Sequence, residues 1–431
     1  MSLPDRVSAL LIASYEICYN PRLLKIADSL LARDVDVSVF SPVLGIAARD
    51  LYDQCVASRS WEVRSLDFSK GSWRSWSRWA ATAVISRIAL EAWRRGVWRG
   101  GFHLGANRAL VAFDWAARPF DLVVVNLVDN LPMAARISRR HGSVLMYDSQ
   151  EWFRGDASSL RAPGRAAWVV EAERRHVTEA DVVTTTTNAL ADRLMETFAL
   201  RHRPCRLRNA PLQATATRPA GGDARPAEGP LRVVWHGLAV HLKGRGVDVL
   251  LEALARCRRP VSLTLQGRID DQQRHLIDAR CAELGVADRV RFAPPAHPER
   301  VPASLAGHDV GVIAEPGLDE NQRLTSSNKL FDYIHAGLAV VAPDLPGLAE
   351  TVAGDDLGVL YPAGNASALA ETIDRLASNI DFRLALQRRA VVAAPCLTWS
   401  RDFEPVWTGL QHALERGRRG RMPGDQREAR P

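Results

Sequence analysis

Short apolar runs alternate with amphipathic stretches along most of this chain, and the series breaks once, over residues 213–230, before starting again. The runs VSALLIA, VDVSVF, FDLVVVNL, GSVLMYD and DVVTTTT have the length of strands, with helical patterns over 22–32 and 166–179 between them. A parallel neighbour is reached only by a crossover, so strand–helix–strand repeats build a parallel sheet whose crossover helices cover both faces. The segment QATATRPAGGDARPAEGP is rich in Pro, Gly and Ala, has no periodicity and reads as a linker. Beyond it LRVVWHG, VSLTLQG, RVRFAP, DVGVIAE, AVVAPD and LGVLYP read as strands separated by further helical patterns. The expected fold class is α/β, with two facing Rossmann-like doubly wound domains and a cleft between them. The expected boundaries are 1–212 for the first domain, 213–230 for the linker and 231–398 for the second domain. A helix over 399–415 then returns to the first domain, followed by a basic disordered tail over 416–431.

With 431 residues, 47% of them hydrophobic and 24% charged, the chain can bury two such cores. The cysteines Cys18, Cys55, Cys205, Cys257, Cys281 and Cys396 form no CxxC pair and have no histidine at ligand spacing, which excludes a zinc or disulfide framework and fits a reduced, cytosolic chain. The opening MSLPDRVSALLIAS is too short an apolar run for a signal peptide, and no run reaches the ~18 apolar residues of a membrane span.

The net charge of +7 is uneven. Segment 73–99 carries five Trp and six Arg against the single acid Glu91, and residues 416–430 are basic again. Two readings of 73–99 stand: a core-packed helix pair with solvated arginines, or Trp and Arg resting on an anionic membrane surface, peripheral on its inner face. The tail reads as a disordered end adhering to anionic lipid. No nucleic-acid motif accompanies the charge, so nucleic acid is not an expected partner.

Chemistry concentrates in residues 321–346, NQRLTSSNKLFDYIHAGLAVVAPDLP, which opens as a polar loop and then starts a helix where Lys329 and Asp332 stand one turn apart. Helix N-termini present aligned N–H groups to phosphate, and Ser326, Ser327 and Asn328 precede this one, with a side-chain cap available. Lys329 on the first turn opposes the helix dipole and is best tolerated beside an anion. In doubly wound sheets ligands sit beyond the carboxyl ends of the strands, so the loops after Trp235, Gln266, Pro294, Ile313 and Asp344 gather at one edge. Lys243, on the loop opened by Gly237, is the best cation for a diphosphate. In the first domain Asp148, Gln150 and Glu151 end a strand, and Asn126, Asp129 and Asn130 end another. Tyr15, Asn20 and Arg22 follow the first strand, where Asn20-Pro21 serves equally as a simple helix cap. Asp34-Val-Asp36 has the form of a metal-binding DxD but precedes a strand, so it reads as solvated turn charge and no metal is expected.

The order of these parts resembles the glycosyl transferases group 1 family, the family-four-like retaining branch of the GT-B glycosyltransferases. NPRLLKIADSLLARDVDVSVF is similar to the branch's first helix and strand, MYDSQEWF to its YDxHE segment, and WHGLAVHLKGRGVDVLLEAL to the opening of its second domain. SSNKLFDYIHAGLAVVAPDLPGLAETV is similar to its PNKLFEYMAAGxPVVxSD block and LGVLYPAGNASALAETIDRLAS to its closing helix; residues 44–117 match least. The resemblance implies an acceptor-side first domain and a nucleotide-sugar-binding second domain. It implies hexosyl transfer, without metal or cofactor, from a nucleoside-diphosphate sugar to an acceptor hydroxyl with retention. Polysaccharide, lipid-linked glycan and small natural product all remain as acceptors.

Residue by residue, the resemblance puts Gly237, Lys243, Ser326, Ser327, Asn328, Lys329 and Asp332 at the donor, Asp332 holding the ribose in place of the usual, longer Glu. It puts Tyr15, Asn20, Arg22 and Asn126 on the acceptor side and Lys243, Asp148 and Glu151 at the reacting centre. The chain departs from the family in three places. Leu324 stands where the first of two spaced glutamates is usual, leaving Glu320, Asn321 or Glu315 to replace it. Leu238 stands where an Arg is usual, leaving His236, His241, Arg245 or Arg268. Gln150 stands where a His is usual, and Gln cannot take up a proton. The leaving diphosphate then assists acceptor deprotonation, with Lys243 and the Ser327 amide region stabilising its charge. A nucleotide-sugar epimerase of the same fold and a non-catalytic sugar-nucleotide-binding protein are the alternatives.

Overall fold

The computed structural model describes residues 6–45, 49–97, 118–157, 160, 164–214, 229–297 and 300–419. The chain forms two compact units: one holds the residues up to Thr185, Ala191–Leu207 and those from Phe403 on, the other Thr186–Leu190 and Arg208–Asp402.

The first unit is a seven-stranded parallel sheet in the order β3-β2-β1-β4-β5-β6-β7. Its strands are β1 (Ser8–Ile12), β2 (Asp36–Phe40), β3 (Glu62–Arg64), β4 (Leu122–Val125), β5 (Val144–Ser149), β6 (Val182–Thr185) and β7 (Cys205–Arg206). Strands β4, β5 and β6 are buried at every position, which is why they read as continuous apolar runs rather than as alternation. Strands β3 and β7 escape a sequence reading because three and two residues are too few to show a period. The order reverses between β1 and β4, opening a crevice at their carboxyl ends.

The second unit is a six-stranded parallel sheet in the order β10-β9-β8-β11-β12-β13. It comprises β8 (Leu231–Ala239), β9 (Val261–Arg268), β10 (Val290–Ala293), β11 (Val310–Val312), β12 (Ala339–Pro343) and β13 (Gly358–Tyr361). Successive residues feed opposite cores: Val233, Trp235 and Val341 pack with Leu250, Leu263 and Ile373, whereas Val234, Val340 and Ala342 pack with Leu330, Phe331 and Ile334. The reversal here lies between β8 and β11.

Three expectations change. Segment 73–94 is one 22-residue helix, opened by a Ser72–Ser75 capping box. It is not a core-packed element: Trp73, Trp76, Trp79, Val84, Ile85 and Ile88 are exposed, because its apolar side chains are spread around the helix instead of along one stripe. Trp98 and Arg99 lie outside the described residues. Residues 320–324 form a short helix, Glu320–Leu324, where a polar loop was expected, because Asp319 caps it by accepting from the Gln322 N–H at 2.8 Å. Helix Trp399–Arg419 runs past residue 415 into the segment expected to be disordered, and 420–431 lie outside the described residues, as do 215–228 of the linker. Among the described residues no helix is long and apolar enough to cross a membrane.

Candidate functional site

In the second unit the polar residues collect at the β8/β11 crevice. Beyond β11 the chain carries Glu315, 5% exposed, whose Oε1 accepts from the Lys329 ammonium at 2.8 Å and from the Ser327 hydroxyl at 3.3 Å. Lys329 also donates to Ser327 Oγ at 3.3 Å and lies over the Trp235 ring at 5.0 Å from its centroid. The cation at the start of helix Asn328–His335 thus has the anion its position calls for. Burial alone would push the Glu315 carboxyl up, but the Lys329 charge and hydrogen bond, with Arg245 nearby, hold it below the ordinary carboxylate value.

Ser327 stands at the N-cap position, yet its side chain makes no capping bond, because its hydroxyl is turned to Glu315. The expected side-chain cap is therefore absent at Ser327. Ser326 Oγ, Glu315 Oε2, Trp235 Nε1 and His236 Nε2 are buried and have no hydrogen-bond partner in the protein. The Trp235 indole N–H, the free Glu315 oxygen and the Ser326 hydroxyl, gathered around a helix start, form a set that a ligand with anionic and hydroxyl groups would satisfy. Asp332 faces the same place from one turn along, its Oδ2 3.3 Å from His236 Nε2.

The loop 240–246 carries the loose cations. Lys243 and Arg245 are exposed, and Gly246, at φ +77°, fixes where they stand: a Cβ there would lie 1.7 Å from the Ala314 carbonyl oxygen, so the loop packs backbone to backbone beside Glu315. Gly237 lies at an irregularity in β8 where a Cβ would meet the Trp235 ring at 2.7 Å. Leu238, at the position where an Arg is usual, is 72% exposed.

At the β1/β4 crevice of the first unit, Asn20 Oδ1 accepts from Leu23 N–H at 3.1 Å, capping helix Pro21–Leu31, and from Asn126 Nδ2 at 3.0 Å. Asn130 Nδ2 donates to Ser14 Oγ at 2.8 Å. Asn20 Nδ2, Asn126 Oδ1 and Asn130 Oδ1 are buried with no protein partner. The Tyr15 phenol is pushed up by burial first and by the Glu151 charge second, which places these two expected site residues near each other.

Arg22 and Asp148 depart from expectation. Arg22 was expected on the acceptor side and Asp148 at the reacting centre; both are sealed inside the unit. Arg22 Nε and Nη2 donate to the two Asp148 oxygens at 2.6 and 2.7 Å, and Nη1 donates to the Leu207 carbonyl at 2.7 Å. Thr184, the β6 register partner of Asp148, adds a fourth bond at 2.6 Å. A fork this complete pins the ends of β5, β6 and β7 to the first helix.

Sequence reasoning did not find the Glu315–Lys329, His236–Asp332 and Arg22–Asp148 pairs. Their only signal was topological: Glu315, His236 and Asp148 lie near the carboxyl end of a strand, Lys329 and Arg22 on the first turn of a helix, and Asp332 just past it. Among the described residues no group of three or more His, Cys, Asp or Glu gathers to hold a metal.

Residues 230–379 match the family described as Glycosyl transferases group 1, and residues 19–210 match the Glycosyl transferase 4-like domain. A D-inositol 3-phosphate glycosyltransferase of Salinispora arenicola is 28% identical over 249 residues, 53% of this chain and 54% of that one. That of Acidothermus cellulolyticus is 29% identical over 274 residues, 57% and 58% of the two chains. A phosphatidyl-myo-inositol mannosyltransferase of Mycobacterium leprae is 27% identical over 159 residues, 36% and 40%. The chain spans about half the length of the curated relatives it matches. Among solved structures, Anabaena HepE in complex with UDP superposes with a TM-score of 0.64 over 95% of this chain and 100% of that one at 16% identity. Sucrose-phosphate synthase of Thermosynechococcus elongatus gives 0.63 over 96% and 98%, also at 16% identity. The shared fold is the two-domain GT-B architecture.

Proposed function

The chain belongs to the glycosyl transferases group 1 family, and from that premise we propose that it moves a sugar from a nucleoside-diphosphate sugar to an acceptor hydroxyl with retention, without a metal. The observation that carries this reading is the set at the β8/β11 crevice: the buried Glu315–Lys329 pair, the unpartnered Ser326 and Trp235 side-chain atoms, and the helix start they surround. HepE, a solved protein of the same fold, binds UDP and UDP-glucose, which supports a nucleotide-sugar donor.

In this reading Lys329 is charge-compensated by Glu315, so the compensation a diphosphate needs comes from the exposed Lys243 and Arg245 and from the backbone at Ser327, Asn328 and Lys329. These groups lower the barrier by stabilising charge that grows on the leaving diphosphate. Asp332 holds the ribose. Glu315 takes the place of the carboxylate missing at Leu324: its Oε2 is an acceptor without a donor, as a sugar hydroxyl requires. In the first unit Tyr15, Glu151, Asn20 and Asn126 serve the acceptor, with Arg22 and Asp148 as their scaffold.

The relatives named for inositol phosphate and phosphatidylinositol acceptors support a polyol hydroxyl as the attacking group, free or lipid-linked. For a lipid-linked acceptor the exposed tryptophans of helix Trp73–Arg94, set among Arg74, Arg78 and Arg87, supply a surface that rests on anionic lipid.

The test is incubation of the chain with UDP- and GDP-sugars, with and without inositol 1- or 3-phosphate and phosphatidylinositol. Acceptor-dependent release of nucleoside diphosphate, with the anomeric configuration kept, is the expected result. Interconversion of the donor sugar without acceptor, or binding with no turnover, would replace this reading by an epimerase or a binding protein.

A further inference from the structure

We infer that His236 is a positioning residue, which holds the Asp332 carboxylate in the orientation that receives the ribose hydroxyls; this rests on the donor reading given above. His236 ends the regular part of β8, immediately before the irregularity at Gly237, and is 8% exposed. Its Nε2 lies 3.3 Å from Asp332 Oδ2, close enough for an ion pair but off the hydrogen-bond axis, so a small rotation of Asp332 completes the bond.

The ring cannot easily turn away. It stands edge-on to Tyr333, with centroids 5.3 Å apart and planes at 85°. The backbone N–H of His236 donates to the Tyr333 hydroxyl at 3.3 Å, and that hydroxyl donates to the Val312 carbonyl at 3.1 Å. The Tyr333 ring lies on Gly311, where a Cβ would come within 2.2 Å of it. Strands β8 and β11 and the residue next to Asp332 are thereby keyed together, and the imidazole is the part of this key that meets the carboxylate.

The consequence is specific to Asp332. Its side chain reaches one methylene less far than a Glu would, and an Asp without a fixed partner samples several rotamers. An imidazole carrying a proton on Nε2 takes one lone pair of Oδ2 and leaves the other carboxylate lone pairs directed outward. A single fixed carboxylate can then accept from both hydroxyls of a ribose. Among the cations considered for the place vacated at Leu238, His236 is thereby assigned to the ribose and not to the diphosphate.

The experiment compares binding of UDP and GDP, and of their 2′,3′-dideoxy forms, to the wild type and to His236→Phe, His236→Gln and Asp332→Asn. For whichever nucleotide binds, His236→Phe is expected to weaken the ribonucleotide about tenfold, the scale of one hydrogen bond to a charged group, and to leave the dideoxy form within about twofold. His236→Gln, which keeps an N–H near the Nε2 position, is expected to restore most of the loss and guards against a folding defect in the Phe variant. Equal weakening of both forms, or no weakening of either, overturns the inference. If Asp332→Asn leaves ribonucleotide affinity unchanged, the donor reading itself fails; if it weakens affinity while His236→Phe does not, only the role of His236 fails.

Discussion

Lys329 Nζ stands 2.8 Å from Glu315 Oε1, with both side chains nearly sealed from solvent at the carboxyl edge of the second sheet. Taking one member away leaves an uncompensated buried charge. Glu315→Leu and Lys329→Met should each lower the stability of the chain by about 3 kcal/mol, while the double variant recovers much of that loss, because two apolar groups replace a pair whose desolvation nearly cancels its attraction. Urea unfolding of the three variants measures the coupling; additive losses would show that the pair is not a unit.

The same pair sets a pH dependence. The Glu315 carboxyl is held low by Lys329, and the Asp309 carboxyl is held low by Arg232 at 2.7 Å, in each case against burial, which acts the other way. A depressed folded-state value means the stabilisation is fully present above the unfolded-state value, near pH 4, and is lost as pH falls through the lower folded-state value. The share of the unfolding free energy that these two carboxylates contribute should therefore hold level from neutrality to about pH 5 and then decline. Glu315→Gln should make that decline shallower, as followed by urea midpoints from pH 7 to pH 3; an unchanged slope would remove Glu315 as a contributor.

Arg22 and Asp148 invert the usual expectation for charged residues near a strand-end crevice. Because the pair is closed by Leu207 and Thr184, Arg22→Ala should cost about 3 to 5 kcal/mol, the range for breaking a buried ion pair. Conservative Arg22→Lys should lose the fork and recover only part. Thermal unfolding decides this: a variant with unchanged stability and altered acceptor affinity would return Arg22 to the acceptor.

Much of the fold was legible because parallel strands buried on both faces must be continuous apolar runs, and crossover helices must separate them. The Asn328–His335 helix, its Lys329 and its Asp332 were legible for the same reason. Pairing across strands was not. Glu315 reads in sequence as one loop acid among several, and only the packing of helix Asn328–His335 back against β11 brings it to Lys329. Arg22 reads as a cleft residue because it follows a strand end, yet it is long enough to fold back under the sheet, where Asp148, Thr184 and the Leu207 carbonyl outcompete solvent for it. Helix Trp73–Arg94 was ambiguous because its apolar residues follow no helical stripe, so periodicity could not say which side, if any, is inside.

That helix leads to a prediction about surfaces. Trp76 and Trp79 are exposed, with Lys70 Nζ 3.6 Å from the Trp79 ring centroid and arginines on adjacent turns. The chain should co-sediment with vesicles containing phosphatidylglycerol more than with neutral ones, and less at high salt. Trp76→Ser with Trp79→Ser should reduce the bound fraction severalfold without changing nucleotide affinity. Equal sedimentation of the double variant would remove this surface from the account.

The central claim, that the β8/β11 crevice receives a nucleoside diphosphate, is tested most directly by calorimetric titration of UDP and GDP into the wild type and Lys243→Ala. Lys243 is exposed on the loop that Gly246 pins beside Glu315, so its removal should leave stability unchanged. One of the two nucleotides is expected to bind the wild type and to bind Lys243→Ala at least about tenfold more weakly, a loss of about 1.4 kcal/mol or more. Equal affinity of the two proteins for that nucleotide, or no affinity of the wild type for either, would contradict the claim.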